Sequence, residues 1–345
     1  MEKGNLPVAN RDCRLAAAQA AEGAKTTVPA QVQAFDNLGD LLVAQGQFEQ
    51  AQVQYRKSIT VMEKAGARDT LELAQSFEKL GNAAMRMGKL TEAEPLFSKS
   101  LALRQARSGQ QSRESANALH SLGLLAMASR KPETAEAYFR QAGTIREKVL
   151  APNDPLIGRT LTNVAVAVQA SRGVEAAEPI YRQALSAQEA AVGANDFSLI
   201  ETIESLARVA SLRGQLPESE ALWRRSLSIK EQRLGADHPS VAATLNDLAL
   251  MMVSAKSYLA AEAQLRRALA IRQKTFGLND LQVAEVTNNL GALLYTQGKT
   301  TEALPLLQHA AAVTYVALGA EDPITKNRWN NLTRAMAAAV SPAPR

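Results

Sequence analysis

Apolar side chains recur along this chain at the spacing of an amphipathic helix, in segments that short polar breaks interrupt. Residues 241–250 (VAATLNDLAL) place valine, alanine and leucine three and four positions apart. After a break at 255–257, residues 260–276 carry a second stripe of leucine and isoleucine at the same spacing. Residues spaced in this way line one face of a helix. The pattern therefore predicts pairs of helices joined by tight turns.

The helix pair repeats with a period of 42 residues, and three columns of positions carry the repeat. A branched aliphatic residue occupies Leu38, Leu80, Leu122, Val164, Leu206, Leu248, Leu290 and Leu332. The next position is small, at Gly39, Gly81, Gly123, Ala165, Ala207, Ala249 and Gly291. A bulky column follows in the second helix, at Tyr55, Phe97, Phe139, Tyr181, Trp223, Leu265 and Leu307. We expect the small residues to let the two helices approach and the bulky ones to fill the gap between repeats.

The repeat defines the predicted domain organisation, a single all-α domain over residues 1–340. Residues 1–30 match the second helix of a degenerate half-repeat, and 31–322 hold seven full repeats. Residues 323–340 are predicted to form a C-terminal capping helix, followed by a disordered tail at 341–345. Half-repeats at the two ends can shield the last exposed helix faces. Truncation from a longer chain is the alternative explanation for them.

Composition and charge exclude several classes of protein. No stretch reaches the 18 apolar residues of a membrane-spanning helix, and no secretory leader is visible, so we expect a cytoplasmic protein. Cys13 is the single cysteine, and the three histidines are scattered, which argues against disulfides and a metal site. No phosphate loop, nucleophile motif or paired histidines are present, so we predict no enzyme activity and no cofactor.

The repeat resembles the tetratricopeptide repeat, in the long version found in kinesin light chain. The resemblance is carried by the segments 261–272 (AEAQLRRALAIR), 234–239 (LGADHP) and 287–291 (TNNLG). It implies a right-handed superhelical solenoid of antiparallel helix pairs, with the first helix of each pair lining a concave groove. It also implies that this groove takes an extended peptide or a helix of a partner protein.

The resemblance further implies a column of asparagines that holds the ligand backbone. The matching column reads Asn37, Lys79, Ser121, Asn163, Ser205, Asp247, Asn289 and Asn331. Neighbouring groove positions are Asn82, Arg86, His120, Arg159, Arg208, Asn246 and Asn288. A side-chain amide donates and accepts hydrogen bonds at once, which suits a peptide main chain. A structural use, in which these asparagines only bond neighbouring repeats, is the alternative.

Charged residues separate into two predicted surfaces. The groove holds seven acids, Asp36, Asp40, Glu78, Glu201, Glu204, Asp247 and Glu285. Its bases are four, Lys79, Arg86, Arg159 and Arg208, so the balance argues against an acidic ligand. Basic residues recur on the second helices and predict a basic outer stripe, at Arg56, Lys57, Lys99, Arg140, Arg182, Arg224, Arg225, Arg266 and Arg267. Net charge is only +5, which is weak support for nucleic-acid binding.

These features together predict a non-catalytic scaffold that binds a partner protein in its groove. A regulatory or sensor module of a larger signalling or effector protein is the alternative function. Nucleic-acid binding by the outer arginines is a third hypothesis. The sequence leaves the identity of the partner and the oligomeric state open.

Overall fold

The computed structural model describes residues 6–22 and 26–340, and every regular element among them is helical. The first nine helices are α1 Leu6–Glu22, α2 Val28–Ala44, α3 Phe48–Lys64, α4 Leu71–Arg86, α5 Leu90–Ser108, α6 Arg113–Ala128, α7 Pro132–Val149, α8 Pro155–Arg172 and α9 Val174–Val192. The others are α10 Ile200–Leu212, α11 Leu216–Leu234, α12 Pro239–Ser254, α13 Tyr258–Phe276, α14 Leu281–Thr296, α15 Thr300–Leu318 and α16 Pro323–Val340, with a 3-10 turn at Phe197–Leu199. The predicted all-α class is thereby confirmed.

The helices alternate in the two roles that the sequence predicts. Even-numbered helices from α2 to α14 are first helices and odd-numbered helices from α3 to α15 are second helices, so seven pairs follow one another. Helix α1 is a lone second helix, and α16 is a lone first helix in the segment where a capping helix is predicted. Helix α2 begins at Val28, inside the predicted half-repeat at 1–30, because Thr27 is its N-cap and Pro29 stands in its first turn, where no amide donor is needed. The predicted tail at 341–345 lies outside the described residues.

Two compact units divide the chain at the last turn of α9, Met1–Ala191 and Val192–Arg345. Within the first unit, each helix from α1 to α7 packs against the next one along the chain. Within the second unit, the same holds from α10 to α16. Both units therefore use nearest-neighbour packing, as the 42-residue period predicts.

The residue just before several of the helices caps the first turn with its side chain. Thr70 Oγ1 accepts a hydrogen bond from the Leu73 amide at 3.1 Å, and Asp280 Oδ1 accepts one from the Gln282 amide at 2.7 Å. His238 Nδ1 accepts from the Ser240 amide at 3.1 Å. Each bond satisfies an amide that has no partner inside its own helix. His238 is therefore a helix cap.

Turns between the two helices of a repeat need a residue in the left-handed region. Glycines fill this position at Gly46, Gly88, Gly214 and Gly298, with φ between 73° and 77°. Arg130 and Lys256 take the same conformation in two other repeats, at φ 56° and 57°. Residues other than glycine rarely adopt this backbone conformation. The flanking helices therefore hold Arg130 and Lys256 in it at these two turns.

The small and bulky columns meet inside each repeat. The ring of Phe97 lies against Gly81, where an added Cβ would come within 3.2 Å of it, and the ring of Phe139 leaves no room at all for a Cβ on Gly123. Phe97 also shares a core cluster with Leu122 and Leu125 of the next repeat, which confirms its predicted place between repeats. The glycine thus makes room for a ring of its own repeat, a contact that the spacing of the two columns does not reveal.

Candidate partner-binding face

Four asparagines of the second unit form a continuous hydrogen-bonded row across three first helices. Asn331 Nδ2 donates to Asn288 Oδ1 at 3.1 Å, and Asn288 Nδ2 donates to Asn289 Oδ1 at 3.4 Å. Asn289 Nδ2 in turn donates to Asn246 Oδ1 at 2.9 Å. We call Asn246, Asn288, Asn289 and Asn331 the amide row. The row joins α12, α14 and α16, so at least part of its hydrogen bonding is between repeats.

The amide row ends on a carboxylate that a guanidinium also contacts. Asn246 Nδ2 donates to Asp247 Oδ1, and Arg208 lies on the other oxygen, both at 3.5 Å. The Arg208 guanidinium also stacks 5.5 Å from the centroid of the Trp223 ring. Burial raises the pKa of Asp247, and Arg208 opposes that rise. The ion pair therefore holds a partly desolvated carboxylate beside an aromatic surface.

A cavity of about 280 Å³ opens beside this ion pair. Its lining residues come from α10, α11 and α12: Arg208, Ser211, Leu212, Trp223, Asp247, Leu250, Met251 and Ser254. Leu212 and Leu250 are 70% and 44% exposed, whereas Trp223 is buried at its base. The cavity thus combines an apolar base and rim with one charged wall, and we call it the Trp223 pocket.

A second cavity, of about 410 Å³, borders the two middle members of the amide row. Asn288 and Asn289 line it together with the apolar side chains of Leu281, Leu318 and Ile324. Ile324 and Leu281 are exposed. The amide row therefore connects two cavities that each offer exposed aliphatic surface.

In the first unit, the predicted groove residues lie in smaller groups. Lys79 Nζ pairs with Asp40 at 2.8 Å and Asp36 at 3.4 Å, and Tyr55 donates to Asp40 at 2.7 Å. Burial and the Asp40 hydrogen bond raise the pKa of Tyr55, which keeps its hydroxyl protonated as a donor. Asn37, which begins the predicted column, is exposed beside this group. Lys79 is thereby engaged with acids of the preceding repeat.

Asn82 and Arg86 lie near the end of α4. Asn82 is half-buried, and Arg86 is exposed with its guanidinium 5.4 Å from the centroid of the Phe48 ring. A cation over an aromatic ring is weakly attracted to it. The structure does not bring these two residues into a row like that of the second unit.

His120 and Asn163 are brought together across neighbouring repeats. Asn163 Nδ2 lies 3.5 Å from His120 Nε2, and the His120 ring tilts over Phe139 with centroids 5.3 Å apart. Burial, with Arg146 and Arg159 nearby, lowers the pKa of His120 to about 4. The imidazole is therefore neutral at neutral pH.

The acids of the predicted groove are largely neutralised within the protein. Ion pairs hold Asp36, Asp40, Glu78, Glu204, Asp247 and Glu285. Three of the partner cations come from second helices: Arg104, Lys230 and Arg272. These three cations lie at one position of the 42-residue repeat. They are not among the four predicted groove bases, because those all belong to first helices. The excess of acids therefore does not exclude an anionic ligand.

Four of the outer arginines are paired as well. Each of Arg140, Arg182, Arg224 and Arg266 bonds a glutamate four residues earlier on its own helix. Pairs four residues apart on one helix, with an exposed arginine, stabilise a helix only weakly. The paired glutamates also offset positive charge on the outer surface. The support for nucleic-acid binding by these arginines is therefore weaker than the sequence indicates.

Neither a metal-binding cluster nor a membrane-spanning helix is present in the parts of the chain that the structure describes. Across residues 6–22 and 26–340, no group of three or more His, Cys, Asp or Glu side chains is placed to hold a metal ion. None of the helices that the structure describes has both the length and the apolar character needed to cross a membrane.

Comparisons with known proteins place these features in a family of repeats. A tetratricopeptide repeat family model matches residues 72–148, 114–190, 199–274 and 243–315, and a related tetratricopeptide repeat model matches residues 32–65. No curated protein matches the chain in sequence.

Solved structures share the fold at low sequence identity. A kinesin light chain from Podosopora anserina with nearly identical TPR-like repeats aligns at 22% identity and TM-score 0.54, over 61% of this chain and 99% of that one. The apo quorum sensor NprR from B. thuringiensis aligns at 14% identity and TM-score 0.66, over 90% and 83%. Aspartyl phosphate phosphatase F from Bacillus subtilis aligns at 12% identity and TM-score 0.61, over 86% and 73%. At these identities the likeness establishes the fold alone.

Proposed function

Because the chain belongs to the tetratricopeptide repeat family, we propose that it is a non-catalytic scaffold that binds an extended segment of a partner protein. Repeats of this family generally serve as protein-interaction scaffolds, although a fold alone does not assign a role. The Trp223 pocket is the observation that carries the proposal. A site with an apolar base, an open rim and one charged wall suits a side chain of a partner peptide.

The amide row supports the same proposal. A partner side chain in the Trp223 pocket leaves its main chain beside Asp247 and Asn246, where the row begins. Each amide of the row has two donor hydrogens and an oxygen with two lone pairs, and the bonds along the row use only part of that capacity. An extended peptide bound this way is held by its backbone at the row and by its side chains in the cavities.

Replacing Leu212 with lysine tests the proposal. Leu212 is exposed at the pocket rim, so Leu212→Lys should leave folding unchanged while it removes apolar contact with a bound peptide. Peptides selected from a phage-displayed library against the whole chain supply the probe. Fluorescence anisotropy should show their affinity for the variant reduced about tenfold or more, since burying a leucine is worth about 1.5–3 kcal/mol.

Leu259 supplies the matched control. It is 79% exposed on α13, a second helix, and lines neither cavity. Leu259→Lys makes the same chemical change and should leave affinity for the selected peptides unaltered. Equal loss in both variants, or no loss in Leu212→Lys, would contradict binding at the Trp223 pocket.

A second candidate function is a regulatory module that changes conformation when it binds a peptide. The fold likeness over 90% of the chain to a protein described as a quorum sensor favours it. Small-angle X-ray scattering should then show a different radius of gyration with the selected peptide than without it. An unchanged scattering curve at saturating peptide supports the scaffold over the sensor. Cytoplasmic location stays a prediction in either case.

A further inference from the structure

Helix α16 exposes side chains at positions that the other repeats bury. Trp329 is 45% exposed and Met336 is 48% exposed, and Thr333 between them is exposed as well. We call Trp329, Thr333 and Met336 the α16 face. In the seven full repeats the position of Thr333 is always buried. The position of Met336 is also always buried, at Leu42, Ala84, Ala126, Val168, Ala210, Met252 and Leu294.

In the full repeats, a second helix covers the positions of the α16 face. Gly81, at the position of Thr333, lies against the ring of Phe97, which belongs to the second helix of the same repeat. Ala84, at the position of Met336, shares a core cluster with Phe97. Helix α16 has no such second helix among the described residues. A helix that caps a stack of repeats normally presents a polar outer face, whereas this face is mainly apolar.

Helix α1 has the opposite deficiency, because the described residues include no first helix that pairs with it. Ala17 and Ala20 bury one side of α1 in a core cluster with Phe35 of α2. Cys13 is only half-buried, although it stands at the position of the bulky column, whose other members are almost completely buried. Ala16 is exposed. Its position is fully buried in the seven full repeats, at Ser58, Ser100, Ala142, Ala184, Ser226, Ala268 and Ala310. We call Cys13 and Ala16 the α1 face.

The two faces are complementary in size. The bulky column holds an aromatic ring or a leucine in every full repeat, whereas α1 has the smaller Cys13 there. The small column holds only glycine or alanine, whereas α16 has the larger Thr333 there. The ring of Phe139 leaves no space even for a Cβ on Gly123, so an ordinary second helix fits poorly onto Thr333. Cores accept an exchange of large and small side chains when the total volume is kept.

We propose that the α16 face of one copy of this chain binds the α1 face of a second copy, so that the two helices form a helix pair between molecules. The contact is heterologous, because each copy contributes a different surface. Such a contact can repeat from copy to copy and builds either an open chain of molecules or a closed ring. Neither face includes a lining residue of the Trp223 pocket, so the assembly leaves that pocket free.

The size of the side chains favours this contact over one between two α16 faces. Two copies of the α16 face would oppose Trp329 and Met336 to the same bulky side chains, with no small residue to receive them. The α1 face supplies Cys13 and Ala16 instead, and tryptophan is among the residues that most often anchor a protein interface.

Two variants each block one face. Trp329→Glu places a charge on the α16 face, and Ala16→Glu places one on the α1 face. Both residues are exposed, so neither change should alter folding, which circular dichroism checks. Sedimentation velocity of the whole chain, from about 1 to 100 µM, should show the wild type assembling beyond the dimer. Each variant alone should self-associate about tenfold more weakly or less.

A mixture of the two variants is the decisive measurement. Trp329→Glu keeps an intact α1 face, and Ala16→Glu keeps an intact α16 face, so one contact remains possible between the two molecules. The equimolar mixture should therefore form heterodimers and nothing larger, at concentrations where each variant alone is monomeric.

Ala18→Glu and Ile324→Glu are the matched controls on the same two helices. Both residues are exposed. The positions of Ala18 and Ile324 also stay at least partly exposed in all seven full repeats, so they lie off the two faces. Both variants should assemble as the wild type does.

Several results would overturn the proposal. A wild type that stays monomeric at about 100 µM removes it. Self-association that survives in Ala16→Glu, with no heterodimer in the mixture, assigns the α16 face to a contact with its own copy. Equal loss in Ala18→Glu and Ile324→Glu shows that the assembly does not use these faces. Leu212→Lys should assemble as the wild type does, so the proposed function stands or falls separately.

Discussion

Replacing Glu204 with alanine should lower the free energy of unfolding by about 3–5 kcal/mol, the largest stability change expected in this protein. Glu204 Oε1 accepts hydrogen bonds from Lys230 at 2.6 Å, Ser226 at 2.7 Å and Thr244 at 2.9 Å. Removal of the carboxylate leaves the buried Lys230 ammonium without its counter-ion. Urea unfolding followed by circular dichroism measures the loss.

Glu201 gives the control for this experiment. It lies one turn earlier on α10 and is exposed, so Glu201→Ala removes the same charge from the same helix at little cost. The double variant Glu204→Leu with Lys230→Met should recover most of the lost stability, because it removes both buried charges together. If Glu204→Ala is no less stable than Glu201→Ala, the pair contributes nothing to the fold.

Gly123→Ala should destabilise the protein by about 1–3 kcal/mol, although alanine is normally the better helix former. An added Cβ overlaps the ring of Phe139, which lies on Gly123 in the same repeat. The ring must move within a packed core, and that movement outweighs the gain in helix propensity. Thermal and urea unfolding both measure the difference.

Gly81→Ala is the matched control. Its added Cβ would lie 3.2 Å from the Phe97 ring, so a small shift accommodates it and the net effect should be close to zero. Combining Gly123→Ala with Phe139→Leu copies the pair Ala249 and Leu265 of another repeat and should restore stability. Equal effects of Gly81→Ala and Gly123→Ala would show that the ring does not determine the need for glycine.

The fold could be predicted from the sequence because its determinants are local and repeated. A leucine column, a small column and a turn glycine each recur every 42 residues, and each acts within a helix pair. The contact between Gly123 and Phe139 escaped prediction for a physical reason. Two columns in phase show that residues belong together, but not which side chain packs on which.

The candidate site was predictable only in part. The asparagine column identified Asn289, and the neighbouring groove positions supplied Asn246 and Asn288. The direction of their hydrogen bonds depends on side-chain orientation, which no spacing encodes. Exposed Leu212 and Leu250 give no sequence signal, because apolar residues on a helix are usually buried. The pairing of the groove acids Glu78 and Glu204 could not be predicted, since their partners Arg104 and Lys230 come from second helices. An ion pair depends on how close the two side chains lie in the folded chain, which the spacing of residues along the sequence does not give.

The pairing of Gly123 with Phe139 has a consequence for how such a chain can grow. A glycine and the ring that needs it lie in the same repeat, so duplication of one 42-residue unit copies both halves of the match. Bonds such as Asn289 to Asn246, and Lys79 to Asp36, join different repeats and are broken when a unit is inserted between them. A duplicated unit therefore keeps its own core packing. The polar contacts between units depend instead on which two units are neighbours.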